Sequence, residues 1–219
     1  LEILGPIFQQ QFGQTEGIGT TLLAHQHRPY GSERDREILT SVGQASPRIG
    51  VRVVDDHGVD LPVGEVGEVL LTSPAVMKGY WNNTAATLET LRDGWVHTGD
   101  VGRLDAEGYL YLVDRKKDMI ITGGENVYSR EVEEAVVTHA DVSEVAVIGV
   151  ADETWGEAVL AIVVPRAGAV PTAQEIIDHC RPLIAGYKKP KRVLFVDEIQ
   201  KLPSGKIDKV RLRTLYGQS

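Results

Sequence analysis

Short stretches in which polar and apolar residues alternate, separated by turn signals, run through residues 1–114. Alternation with a period of two is typical of a half-buried β-strand. It occurs in Arg48–Asp55, Val66–Thr72 and Gly108–Asp114, and Gly94–Asp100 leads into a further strand. Asn83–Leu91 is a short helix candidate that begins with a capping residue, Asn83. The pattern predicts a small β-rich subdomain over this half of the chain.

Residues 115–219 have a different pattern, in which apolar runs alternate with helix signals. Arg115–Asp118 predicts a charged, solvated connector. Thr172–Glu175 is a capping box, which opens a helix with Ile176, Ile177 and Cys180 on its inner side. The other predicted elements are the strands Met119–Thr122, Glu144–Val150, Glu157–Val164 and Arg192–Val196, and a helix over Glu131–His139 capped by Ser129. The β-α-β-β-α-β order predicts a compact α+β module of about 100 residues.

Composition and net charge argue against several classes of protein. Hydrophobic residues make up 42% and charged residues 25%, which are ordinary values for a folded domain. The net charge of −8 lies entirely in residues 1–114, and an acidic half beside a neutral half argues against nucleic-acid binding. The single cysteine, Cys180, excludes a disulfide framework, and no apolar run reaches the roughly 18 residues of a membrane span. We expect a cytoplasmic protein without a nucleic-acid partner.

The segment Phe12-Gly-Gln-Thr-Glu16 places a hydroxyl and a carboxylate side by side after a glycine that permits a tight turn. Such oxygens suit a phosphate together with Mg²⁺, which takes oxygen ligands and relies on substrate phosphates. Taken alone, an ordinary polar loop is the simpler interpretation.

Two later segments carry groups that suit a ribose. Asp100, at the end of Trp95–Asp100, offers two acceptor oxygens that match two vicinal sugar hydroxyls. Arg115 offers a guanidinium fork for ribose or phosphate oxygens, and the double glycine at 123 and 124 permits close approach of a ligand. A strand-entry turn and a charged linker explain these segments equally well when each is taken alone.

A lysine near the C-terminus lies in the glycine-containing segment Leu202–Lys209. On a loop of this kind, Lys206 could be brought onto an anion. Most lysines are simply solvated surface residues, so the motif is weak by itself.

Together, in this order and at these spacings, the motifs resemble those of the adenylate-forming (AMP-binding) superfamily, and most closely its acyl-CoA synthetases. The matching segments are Phe12–Glu16, Gly94–Asp100, Asp114–Asn126 and Pro203–Ile207, supported by Lys78–Asn82, Gly108–Tyr111 and Glu144–Gly149. The resemblance covers essentially the whole chain. It implies that residues 1–114 are the C-terminal part of a large adenylation domain and that residues 115–219 are its mobile C-terminal lid.

Enzymes of this family activate a carboxylic acid with Mg-ATP to an acyl-adenylate and then transfer the acyl group to coenzyme A. The resemblance implies a nucleotide site made by Phe12, Gly13, Gln14, Thr15, Asp100 and Arg115. It places Thr15 at a phosphate, Glu16 on Mg²⁺, and Asp100 with Arg115 at the ribose. Lys206 resembles the adenylation lysine, whose charge bridges the carboxylate and the α-phosphate.

The resemblance also assigns roles to the lid. Lys117 lies where the family has its hinge residue, around which the lid rotates between the two half-reactions. Gly123, Gly124 and Glu125 lie at the coenzyme A path in the second pose. The basic run Lys188–Arg192 could meet coenzyme A phosphates, although a solvated basic turn is the simpler interpretation.

Two departures from the family pattern affect the expected activity. The family usually has tyrosine in place of Phe12, so only ring packing is expected there. The Ser/Thr/Gly-rich phosphate loop and the adenine-binding stretch are absent, and both belong upstream of Leu1. We therefore expect the chain to be the last part of a longer enzyme and to be inactive by itself.

The sequence leaves the acid open. The aliphatic and small residues of Gly17–Leu23, expected in the wall of the acyl pocket, suit an alkyl chain without excluding an aryl ring. A fatty acid is the first expectation. The alternatives are an aryl-acid CoA ligase, an enzyme that loads a carrier protein, and a non-catalytic binding fragment.

Overall fold

The structure, a computed structural model, describes Gly5 and residues 7–217. The chain divides into two compact units, Leu1–Lys116 and Lys117–Ser219. This division lies two residues beyond the boundary at 114 and 115 that the sequence predicts. Asp114 and Arg115 belong to the first unit because they complete its last strand.

Among its described residues, the first unit contains two antiparallel sheets, two short α-helices and a 3₁₀ turn at Ala24–Gln26. The three-stranded sheet has the order β1 (Gln10–Gln14), β2 (Gly17–Leu22) and β3 (Gln44–Ala45), with α1 (Glu33–Ile38) between β2 and β3. The five-stranded sheet has the order β4 (Gly50–Val54), β5 (Gly67–Thr72), β7 (Trp95–Leu104) and β6 (Leu91–Arg92), and β8 (Leu110–Arg115) also pairs with β7. Helix α2 (Thr84–Thr90) precedes β6.

The inner face of the larger sheet makes the core of the first unit. Its buried residues are Val53, Val69, Leu71, Val96 and Leu110, and Phe12 packs against them. These strands occupy the segments in which the sequence alternates, and the cap predicted for α2 is confirmed because the Asn83 side chain accepts a hydrogen bond from the Ala86 amide at 3.1 Å.

The smaller sheet is tied to the larger one through a glycine. The amide of Leu110 donates to the carbonyl of Gly43 at 2.9 Å. Gly43 has a φ of +85°, and a Cβ there would lie 2.1 Å from the Thr21 carbonyl oxygen. Only glycine fits this position, because any side chain would collide with the backbone of β2.

The second unit is a five-stranded sheet with helices on both faces. Its strands are β9 (Ile120–Thr122), β10 (Glu125–Val127), β11 (Val142–Asp152), β12 (Gly156–Pro165) and β13 (Arg192–Phe195). The order is β10-β9-β12-β11, and β13 pairs with β12 in parallel. Helices α3 (Ser129–Val137) and α4 (Ala173–Cys180) cover one face, and Leu212 of α5 (Lys209–Tyr216) packs on the other. Both faces are buried, which explains the nearly continuous apolar run of β11.

The structure confirms the α+β fold class and the predicted order of the second unit, and it adds β10 and α5. The capping box at Thr172 and Glu175 is also confirmed. The cap predicted for α3 is wrong. Ser129 is the first residue of that helix and is fully buried, where its hydroxyl accepts a hydrogen bond from Lys209 Nζ at 2.6 Å.

The predicted solvated connector Arg115–Asp118 is also wrong. Arg115 ends β8, and the next three residues form a 3₁₀ turn. Asp118 is buried and pairs with Arg213 at 2.8 Å, since a buried carboxylate needs a charged partner. Within the part of the chain that the structure describes, no helix is long and apolar enough to cross a membrane.

Shortening Ile162 to alanine should destabilise the second unit. Ile162 of β12 is fully buried in a cluster with residues of β11 and α5, and removing three methyl or methylene groups leaves a cavity. We expect the free energy of unfolding in urea to fall by about 2–5 kcal/mol, followed by the fluorescence of Trp155, the tryptophan of this unit. Val170→Ala, at a side chain that is 92% exposed, is the matched control and should change it by less than about 0.5 kcal/mol.

Candidate nucleotide-binding site

Asp100 is the centre of a polar cluster that joins three of the sequence motifs. The residue is 6% exposed. Its Oδ2 accepts a hydrogen bond from Gln14 Nε2 at 2.8 Å, and its Oδ1 lies 2.9 Å from Arg115 Nε. The structure therefore brings Gln14, Asp100 and Arg115 together, although they are up to about 100 positions apart in the chain.

The register of the larger sheet places two of these residues opposite each other. Asp100 on β7 pairs directly with Arg115 on β8, and the ladder then shifts between Val101 and Gly102. The hydroxyl of Thr98 fixes the backbone before Asp100, because it donates to the Val69 carbonyl at 2.7 Å and accepts from the Asp100 amide at 3.0 Å. Arg115 remains 47% exposed, so solvent or a ligand can reach its guanidinium.

The Phe12–Glu16 segment is less of a loop than the sequence suggests. Phe12, Gly13 and Gln14 belong to β1, and only Thr15 and Glu16 form the turn before β2. Gly13 sits at a bulge where a Cβ would lie 3.1 Å from the Gly17 carbonyl oxygen. This tight hairpin aims Gln14 at Asp100 and presents the Thr15 side chain to solvent.

Glu16 has a partner that sequence reasoning missed. The hydroxyl of Tyr80 donates to Glu16 Oε1 at 2.6 Å, across 64 positions of the chain. This hydrogen bond raises the pKa of Tyr80 above its ordinary value. Tyr80 lies in the Lys78–Asn82 motif. That motif supports the family resemblance, but the sequence assigns no function to its residues.

The side chains around Glu16 could bind a magnesium ion only if water and substrate phosphates supplied the remaining ligands. Among the described residues there is no group of three or more His, Cys, Asp or Glu side chains arranged to hold a metal. A single carboxylate beside a hydroxyl fits Mg²⁺, which is usually held by one or two carboxylates plus water and substrate phosphates.

Lys206 lies in the second unit on a small hairpin turn. The amide of Leu202 donates to the Lys206 carbonyl at 2.8 Å, and Gly205 adopts a φ of +82° that favours glycine. The Lys206 side chain is exposed and has no hydrogen bond or ion pair with any described residue.

The predicted coenzyme A residues form the turn between β9 and β10. Gly123 and Gly124 have φ values of +61° and +85°, and Glu125 begins β10. A Cβ on Gly123 would lie 2.7 Å from the Trp155 ring. Lys191 Nζ lies 4.4 Å from the centroid of that ring, a cation–π distance. Trp155 is a second residue that sequence reasoning missed.

Lys117 follows the point where the two units divide. On the side of the first unit, Lys116 Nζ pairs with Asp56 at 2.8 Å and with Glu68 at 3.1 Å. The hydrogen bond to Asp56, followed by that to Glu68, raises the pKa of Lys116. On the side of the second unit, Arg213 pairs with Asp118. Ion pairs therefore hold both chain neighbours of Lys117 within their own units.

Comparisons with known proteins show the family. Residues 1–81 match the family model of AMP-binding enzymes, and residues 131–206 match that of the AMP-binding enzyme C-terminal domain. The chain belongs to this adenylate-forming superfamily, and the relatives it matches include acyl-CoA synthetases.

Two curated relatives and one solved structure illustrate the similarity. The long-chain-fatty-acid–CoA ligase FadD13 of Mycobacterium tuberculosis is 48% identical over 209 residues, which are 94% of this chain and 40% of that protein. A feruloyl-CoA synthase of an Amycolatopsis species is 43% identical over 213 residues, 97% of this chain and 42% of that protein. The o-succinylbenzoate coenzyme A synthetase of Bacillus subtilis, in complex with ATP and magnesium ion, superposes with a TM-score of 0.81 at 33% identity, over 94% of this chain and 41% of that one. This chain thus spans about two fifths of the length of the relatives.

Replacing Gln14 with leucine should destabilise the first unit. The change leaves Asp100 Oδ2 without one donor and the Thr98 carbonyl without the hydrogen bond that Gln14 Nε2 gives it at 2.9 Å. Leaving buried acceptors unpaired costs about 1–3 kcal/mol of unfolding free energy, measurable in urea through Trp95 fluorescence. The control is Gln11→Leu, at an exposed position of the same strand. Equal effects of the two substitutions would show that the Asp100 cluster does not stabilise the fold.

Proposed function

We propose that this chain is the C-terminal portion of an ATP-dependent acid–thiol ligase, an acyl-CoA synthetase. The enzyme activates a carboxylic acid with ATP to an acyl-adenylate, releasing pyrophosphate. The thiol of coenzyme A then attacks the acyl carbon, and AMP leaves. The observation that carries the proposal is the convergence of Gln14 and Arg115 on the buried carboxylate of Asp100.

The Asp100 cluster supports a ribose site. A carboxylate accepts several hydrogen bonds at once, so Asp100 can keep Gln14 and Arg115 while accepting from two vicinal ribose hydroxyls. Its two partners restrict the rotation of the carboxylate, and this preorganisation reduces the entropy lost on binding. Arg115, which is half-exposed, adds positive charge at the rim of the site.

The turn after β1 is proposed to hold the phosphates. Thr15 offers a hydroxyl to a phosphate, and Glu16 offers a carboxylate to Mg²⁺. When bound, the ion would neutralise phosphate charge that the side chains of this turn cannot neutralise. The nucleotide-binding pieces that the chain lacks are proposed to lie in an upstream part of the same enzyme. A cytoplasmic location belongs to the same proposal.

Lys206 is proposed to be the lysine of the adenylation step. It has no competing partner among the described residues and sits on an exposed turn, so its charge is available to substrate. In the transition state, negative charge builds between the attacking carboxylate and the α-phosphate. A positioned cation there lowers the barrier more than it stabilises the ground state.

The second half-reaction is assigned to the second unit acting as a lid. Lys117 is proposed as its hinge, a position that fits the division of the chain into two units at this residue. Gly123, Gly124 and Glu125 are proposed to line the coenzyme A path. The exposed turn and the Trp155 ring beside it offer an open backbone and an aromatic surface to the coenzyme.

The acid is proposed to be a fatty acid, with an aryl acid as the alternative. The relatives include ligases named for a long-chain fatty acid and for ferulate, so likeness alone does not separate them. In Gly17–Leu23, Ile18 and Leu23 are about 40% exposed and the other residues are buried. Ile18 and Leu23 are therefore the side chains of this segment that an acyl chain could contact.

Two further alternatives differ in acceptor or in activity. A carrier-protein-loading enzyme would form product with holo carrier protein when coenzyme A is left out. A non-catalytic binding fragment would be a natural gene product of this length. Steady-state assays with each acceptor, together with the mass of the native protein, separate these three functions.

The purified 219-residue chain should not catalyse acid-dependent ATP–pyrophosphate exchange. It lacks the phosphate loop that the resemblance requires, while a longer protein that contains this sequence should support exchange. Exchange by the chain alone would contradict the assignment of the phosphate loop to an upstream segment.

Lys206→Ala in the complete enzyme should block adenylation but spare thioester formation from a preformed acyl-adenylate. Losing a preorganised charge of this kind reduces the adenylation rate about 10²–10³-fold. Lys201→Ala is the matched control on the same hairpin, since that lysine pairs with Glu144 at 2.7 Å and is not assigned to either step. Equal loss of both half-reactions in Lys206→Ala would refute the role.

A further inference from the structure

The Lys78–Asn82 motif has no role in the proposed function, yet one of its side chains reaches the Thr15–Glu16 turn. The Tyr80 hydroxyl donates a 2.6 Å hydrogen bond to Glu16 Oε1. The amide of Met77, the residue before the motif, donates to the Glu16 carbonyl at 2.9 Å. The motif therefore touches the one carboxylate that the proposed function assigns to magnesium.

The backbone around Tyr80 is built to hold that residue in place. Gly79 adopts a φ of +147°, and a Cβ there would lie 2.8 Å from Thr87 Cγ2. This close approach lets the Thr87 hydroxyl accept a hydrogen bond from the Tyr80 amide at 2.9 Å while it donates to the Asn83 carbonyl at 2.8 Å. Asn82 adds a second positive φ of +50°. Glycine adopts a positive φ without strain and asparagine does so more readily than most residues, so both residue types suit the turn that carries Tyr80.

Burial does not explain this arrangement. Tyr80 is 38% exposed, and the neighbouring Trp81 is 92% exposed. The Met77 amide already ties the segment just before the motif to the turn, and that hydrogen bond needs neither the phenol nor the carboxylate. What the motif adds is the placement of the Tyr80 hydroxyl against one carboxylate oxygen of Glu16, Oε1.

We propose that Tyr80 is a positioning residue that holds Glu16 Oε1 and so leaves Oε2 oriented for the magnesium ion of Mg-ATP. The hydrogen bond restricts the Glu16 side chain to one orientation before the ligand arrives. Carboxylates that bind metals are commonly fixed in this way by a hydrogen-bond donor behind them, and loss of that donor weakens metal binding. The inference rests on the proposed function, because it needs Glu16 to act on Mg-ATP.

The test measures ATP binding over a series of Mg²⁺ concentrations by calorimetry in the complete enzyme. Tyr80→Phe keeps the ring and removes the hydroxyl. We expect it to raise the Mg²⁺ concentration needed for half-maximal enhancement of ATP binding about tenfold, the lower end of the range for such partners. Binding of ATP without Mg²⁺ and the KM for the acid should not change. Trp81→Phe, at the 92% exposed neighbour of Tyr80, is the control and should behave like the wild type.

A double substitution tests whether Tyr80 acts through Glu16. In a Glu16→Ala background, Tyr80→Phe should have no further effect on the Mg²⁺ dependence, because coupled residues are not additive. An unchanged Mg²⁺ dependence in Tyr80→Phe, or an equal loss in both backgrounds, would overturn the inference and leave the proposed function standing. A wild-type enzyme whose ATP binding does not depend on Mg²⁺ would instead overturn the assignment of Glu16, and the inference with it.

Discussion

The first unit depends on how it satisfies a buried negative charge. Asp100 is almost completely enclosed, and a carboxylate in that position is tolerated only with a cation and hydrogen-bond donors around it. Arg115 and Gln14 supply these groups from β8 and β1. The hydrogen bonds from Gln14 to Asp100 and to the Thr98 carbonyl therefore tie the β1–β2 hairpin, which carries the Thr15–Glu16 turn, to β7 of the larger sheet.

Ion pairs also fix the residues on either side of the point where the two units divide. Lys116 is held by Asp56 and Glu68 within the first unit, and Asp118 is held by Arg213 within the second. Between them, Lys117 is exposed. The hinge proposed at Lys117 lies between these two ion pairs, and its carbonyl accepts a hydrogen bond from Arg213 at 3.2 Å.

Much of the fold could be predicted from the sequence, because burial imposes a period on the strands and leaves caps visible. The helix over Lys209–Tyr216 could not, since it buries a single residue, Leu212, and so has little amphipathic pattern. The start of α3 differs from the prediction because Ser129 is the first residue inside the helix, where its buried hydroxyl accepts a hydrogen bond from Lys209. For the candidate site, the motifs pointed to Asp100, Arg115 and Glu16, and their roles stay predictions. The contact from Tyr80 to Glu16 joins two side chains 64 positions apart, and no local pattern records it.

A crystal structure of the complete enzyme with AMP tests directly whether the Asp100 cluster holds a ribose. We expect both ribose hydroxyls to lie within hydrogen-bonding distance of the Asp100 carboxylate, with Arg115 still beside it. A ribose bound elsewhere, with Asp100 still paired to Gln14 and Arg115 and in contact with no ligand, would rule out a ribose site at Asp100.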